Sequence, residues 1–133
     1  MVDCGLSVKA ITDRMVSIGR HPNEVSALLV THEHSDHTKG MTHFTRRFDT
    51  QVWMTCGTAA ALGADDLPTL QTFSCHKKLA FGEIGVQPYP VPHDAREPCQ
   101  YVFTAADRRL GVITDTGHVT PHILDCLAYC DAL

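Results

Sequence analysis

Ala27-Leu28-Leu29-Val30-Thr31-His32-Glu33-His34-Ser35-Asp36-His37 runs from an unbroken apolar segment straight into three imidazoles and, besides Glu33, the carboxylate of Asp36. In an extended chain successive side chains alternate, so His32 and His34 fall on one side and can share a single ion. Asp36 and His37, beyond a bend, can turn to a second. Imidazole with carboxylate is a donor set that suits zinc, and also manganese or iron. The alternative is a polar loop merely rich in histidine. Four such groups directly after a buried strand serve no core purpose, since each would need a hydrogen-bond partner if buried.

Outward from this stretch, the composition sets limits. The chain has 133 residues, 44% hydrophobic and 20% charged, as expected for one soluble globular domain. No run is long enough to cross a bilayer, and Met1 to Gly5 offers no basic segment leading into a signal-peptide core. A cytoplasmic protein with no membrane partner is expected. The six cysteines are scattered without a C-x-x-C pair, which argues for reduced thiols over a zinc ribbon or disulfide scaffold. A net charge of -4 gives no basic footprint for nucleic acid. Bound divalent ions would nevertheless put positive charge where a phosphate must sit.

Upstream, Val2 to Gly5 reads as a strand end, and Val8, Ile11, Met15 and Ile18 recur at helical spacing with Ser7 as cap and Gly19 as stop. Val25 to Thr31 reads as a strand covered on both faces. Downstream, Gly40 to Phe48 reads as a helix, Gln51 to Thr55 as a strand and Thr58 to Leu62 as a small helix. After Pro68 strand-like runs follow at Lys78 to Phe81, Ile84 to Val91, Cys99 to Ala105 and Leu110 to Thr114. Thr120-Pro121 opens a final helix, continued by Ile123 to Tyr129.

His93 and Asp115 each lie just past one of these strands, on loops that a rigid sheet can position. From the residues alone, His93 as an ordinary loop histidine and Asp115 as a turn or helix cap stay open.

With these residues in view, the chain resembles the metallo-β-lactamase-fold hydrolases. The T-H-x-H-x-D-H of that superfamily stands as Thr31 to His37, its early D-x-G as Asp3-Cys4-Gly5, its isolated histidine as His93 and its bridging aspartate as Asp115. Leu6 to Ile11, Thr58 to Leu62 and His93 to Pro98 are similar to the bacterial branch often called YycJ or WalJ, whose members are linked to exonuclease activity on DNA. The likeness covers nearly the whole chain.

The resemblance implies an α/β (α+β) fold, a four-layer αβ/βα sandwich with two divalent metal ions, zinc first and manganese or iron as alternatives, at its open edge. His32, His34 and His93 would hold one ion, Asp36 and His37 the second, and Asp115 would bridge them. Asp3 would support the ligands from behind. A hydroxide shared between the ions would be the nucleophile, its parent water lowered in pKa from about 16 to about 7, and Asp36 would receive the proton.

The departures are equally specific. The family's further histidine, downstream of the bridging aspartate, has no counterpart here. His118 and His122 lie too near Asp115 for that role. Residues 1–133 are therefore expected to form one partial domain, lacking the first strands and the C-terminal part, with open sheet edges that invite a homodimer or a partner chain. Three activities follow: a metal-dependent phosphodiesterase acting on DNA, a hydrolase of small esters, thioesters or lactams, or an inactive metal-binding or interaction module.

Overall fold

Four residues in a row, Leu28 to Thr31, are almost wholly buried, and the reason is that both faces of this segment are covered. Leu28 and Val30 pack with Phe44, Val52 and Met54 under helices, whereas Ala27 and Leu29 pack with Phe73, Val86 and Tyr101 against a second sheet. In the computed structural model, which describes residues 1–133, the first sheet is parallel and runs β1 (Ala27–Leu29), β2 (Gln51–Thr55), β3 (Leu70–Phe73). The second is antiparallel and runs β4 (Leu79–Phe81), β5 (Ile84–Pro90), β6 (Cys99–Ala105), β7 (Arg108–Val112).

Helices α1 (Val8–Ser17), α3 (Met41–Phe48) and α4 (Cys56–Leu62) cover the outer face of the first sheet, with the short α2 (Ser35–Thr38) at its carboxyl end. Helix α5 (Pro121–Leu127) covers the second, through Ile123 and Cys126 against Tyr89 and Val102. The result is the expected order of helix, sheet, sheet, helix. The first sheet has three strands and the second four.

Local chemistry explains where the elements stop. Ser7 caps α1 by accepting from Ala10 N, and Thr120 caps α5 by accepting from Ile123 N. Strand β1 is shorter than the Val25 to Thr31 expected. Val25 instead ends a 3-10 turn closed by Glu24 on the His21 amide, and Thr31 N turns from the ladder to the Asp3 carboxylate. Val2 to Gly5 contributes a single parallel bridge, Val2 to Leu29, rather than a strand. Helix α5 ends at Leu127 because Ala128 is extended and Tyr129 takes a left-handed φ of 60°, while Arg109 donates to the freed carbonyls of Cys126 and Ala128. Strand β3 was not expected at all, since Leu-Gln-Thr-Phe shows no alternation and is half exposed. Pro88 and Pro90 are tolerated in β5 because β4 pairs only with Ile84 to Val86, leaving that side of the later residues free.

Two bonds close the sandwich at the end that carries the histidines. Tyr101, fully buried on β6, donates its hydroxyl to Val30 O at 2.6 Å, and Cys99 N donates to Thr31 O at 3.0 Å. They fix the height of one sheet against the other. Tyr101→Phe would keep the packing and strand the Val30 carbonyl, at an expected cost of about 1–2 kcal/mol. Urea unfolding with an unchanged slope would read it, and a variant as stable as the parent would show that the hydroxyl does not tie the sheets.

Candidate metal centre

The chain leaves β1, bends at Glu33, and enters α2 with His34, itself extended, as its N-cap residue. This bend turns an alternating strand into a cluster. His32 is wholly buried with His37 beside it, and Asp36 stands out on the first turn of α2 with its side chain 74% exposed. The close pass of the early glycine makes the bend possible. A Cβ on Gly5 would collide with the backbone carbonyl of Asp36, so no other residue fits there.

From the second sheet, the loop after β5 brings in His93 and the segment after β7 brings in Asp115. Three ring nitrogens then converge: His32 Nε2 lies 3.0 Å from His34 Nδ1, and His93 Nε2 lies 3.1 and 3.2 Å from the same two atoms. The edge of a tetrahedron with Zn–N bonds of 2.0–2.1 Å is about 3.3–3.4 Å. A second group, His32, His37 and Asp115, adjoins the first. Asp115 Oδ2 stands between them, 3.5 Å from His37 Nε2 and 3.8 Å from His93 Nε2, and Asp36 Oδ2 is 3.5 Å from His37 Nε2.

The hydrogen bonds behind the rings decide which nitrogens are free. His32 Nδ1 is 3.0 Å from Thr31 Oγ1, whose own hydroxyl donates to Asp3 Oδ2. His37 Nδ1 is 2.7 Å from Asp3 Oδ2, and His93 Nδ1 is 3.1 Å from Asp94 Oδ1. With the proton on Nδ1 in these three rings, each Nε2 offers a lone pair toward the cluster. Lone pairs aimed at one another repel unless a proton or a cation lies between them.

Burial, and then the neighbouring imidazoles, push His32 down to about 4, which keeps it neutral and able to ligate near pH 7. Burial opposes the charged form of His37, but the carboxylates of Asp3, Asp36 and Asp115 together lift His37 above the usual histidine range. Burial likewise raises Asp3, against the pull of His37 and Thr31. Burial drives Cys4 up to about 11 and Cys99 up to about 12, so neither thiol is a thiolate here.

Five of the six residues singled out as ligands in the sequence fall in these two groups, Asp36 stands outside both at 3.5 Å from His37 Nε2, and Asp3 lies behind His37. His118 and His122 are exposed and belong to neither group. Sequence reasoning gave no role to Gln100, which is buried on β6. Its side chain accepts from Thr114 N at 3.3 Å and donates to Thr114 Oγ1 at 2.9 Å, setting the backbone next to Asp115. A lone amide inside an apolar strand was the available signal. Thr31 and Glu33 were also passed over, although both sit inside the motif.

Comparison with known proteins identifies the family and the fold. A Beta-lactamase superfamily domain matches residues 1–133. An exodeoxyribonuclease named YycJ, from Bacillus anthracis, is 41% identical over 124 residues, covering 90% of this chain and 47% of its own. An exodeoxyribonuclease named WalJ, from Streptococcus pneumoniae serotype 2, is 33% identical over 137 residues, covering 98% and 51%. The chain therefore spans about half the length of these curated relatives. Among solved structures, a metallo-β-lactamase from Cronobacter sakazakii superposes with a TM-score of 0.75 at 16% identity, over 91% of this chain and 50% of that one. No helix is long and apolar enough to cross a membrane.

Asp3→Ala would leave Thr31 N, the Thr31 hydroxyl and His37 Nδ1 without their acceptor, at an expected cost of about 3 kcal/mol. Thermal unfolding of the metal-free protein would show the loss, and an unchanged midpoint would mean that Asp3 does not hold the motif together.

Proposed function

Because the chain belongs to the beta-lactamase superfamily, we propose that it carries the metal-dependent centre of a phosphodiester hydrolase that acts on DNA. The observation that carries this reading is the convergence of three imidazole nitrogens beside Asp115, in a chain 33% and 41% identical to two proteins named exodeoxyribonucleases.

His32, His34 and His93 would hold one divalent ion, Asp36 and His37 a second, and Asp115 would face both. Zinc suits the histidine-rich set best, with manganese or iron admitted by the same donors. When bound, such ions acidify water to a pKa of about 7 and offset charge developing on a phosphoryl oxygen.

The chain's own residues supply the rest. Asp36, exposed beside the centre, takes the proton of the attacking water as its oxygen bonds to phosphorus, while the bond from phosphorus to the leaving sugar oxygen breaks and that oxygen takes a proton from solvent. His37 is held in orientation by Asp3, so Asp36 and Asp115 meet a ring that does not swing. Neutral His32 adds no positive charge of its own and leaves its lone pair to the ion.

Purified protein should degrade linear duplex DNA with added manganese or zinc, stop on chelation and slow between 50 and 200 mM salt, as a polyanionic substrate requires. His93→Ala should lower the rate by more than about 100-fold, beyond what losing a partner behind a ligand costs. Bound metal with turnover of a lactam or thioester but not of DNA would replace the substrate. Absence of bound metal would overturn the centre itself.

A further inference from the structure

Glu33 lies between two of the residues proposed as ligands, His32 and His34. The chain bends at Glu33, and its side chain takes no part in the cluster of convergent nitrogens. It reaches the other sheet instead. Glu33 Oε1 accepts from Arg96 N at 2.7 Å, and Glu33 Oε2 is buried there without a partner.

Arg96 is three residues beyond His93, in the loop of residues 91–98 that joins β5 to β6. Further bonds anchor this loop. Gly117 N donates to Pro92 O at 2.6 Å, which ties it to the turn after Asp115. Gly57 N donates to Glu97 Oε2 at 2.6 Å and Thr55 Oγ1 donates to Glu97 O at 2.8 Å, which tie it to the start of α4. The Glu33 bond is different, for it begins inside the metal-binding motif and ends in the loop that supplies the third imidazole.

The chemistry favours a link. A carboxylate accepting from a backbone amide makes a charge-assisted bond, here at an exposed position with the second carboxylate oxygen buried beside it. Its loss would hand the exposed amide of Arg96 to water and release this tie on the loop, and with it the spacing of His93 Nε2 from His32 and His34.

On these grounds we infer that Glu33 is a positioning residue: it sets His93 against His32 and His34, and so tunes the affinity of the three-histidine site. The inference rests on the metal-centre reading above. It also defines a role for an acidic residue that does not touch the ion.

Titration of the full chain with Co2+, followed by visible absorption, tests it in Glu33→Gln, Glu33→Asp and Glu33→Ala, with circular dichroism of each metal-free protein as a check on folding. Gln retains an oxygen at the right reach and should bind within about threefold of the parent with the same bands, whereas Asp and Ala should bind about 10- to 100-fold more weakly with altered bands. If Glu33→Ala does not fold, Glu33→Asp decides, since it keeps the charge but is one methylene too short. Parent-like binding by Glu33→Asp, or a Gln variant weakened as much as Ala, would overturn the inference. A parent that takes up no Co2+ would remove the centre as well, which separates the two failures.

Discussion

The carboxylate of Asp3 is the constraint on which the site depends. It takes Thr31 N, the Thr31 hydroxyl and His37 Nδ1, and so binds the start of the chain to the end of β1 and to α2 in one cluster. Asp3 itself adopts a φ of 53°, a backbone state that aspartate tolerates better than most residues and that aims its side chain into the motif. The same carboxylate sets both supporting tautomers: directly for His37, and through Thr31 for His32. Gly5 then lets the backbone of Asp36 pass close enough to complete the bend. One acidic side chain therefore sets which nitrogens of His32 and His37 face the cluster.

A second constraint is the alignment of two sheets with different hydrogen-bond patterns. His32, His34 and His37 come from the parallel sheet, and His93 and Asp115 from the antiparallel one. Neither set is complete alone. Tyr101 and Cys99 lock the sheets together within two residues of His32, so the relative height of the two halves is fixed where the site needs it. Glu33 and Glu97 repeat this at the level of the loop, one reaching from the motif and the other from the loop to α4.

Much of this was legible in the sequence because it follows from periodicity. An apolar run without alternation implied a strand covered on both faces, and Leu28 and Leu29 do face opposite cores. His32 and His34 were legible as a pair because side chains two apart share a face. Their use of different ring nitrogens was not, since that depends on Thr31 behind one and the α2 bend beneath the other. The roles of Glu33 and Gln100 are carried by contacts 63 and 14 residues away in sequence, which no local pattern encodes. Strand β3 escaped for a simpler reason: as an edge strand with exposed Gln71 and Thr72, it lacks the apolar signal that reveals a buried one.

The most direct measurement is X-ray absorption at the zinc edge on protein carrying one equivalent of metal. Three imidazole nitrogens at about 2.0–2.1 Å are predicted, with the remaining coordination from oxygen. A spectrum dominated by sulfur at about 2.3 Å, or one lacking the scattering of imidazole rings, would contradict the assignment of His32, His34 and His93 to a common ion.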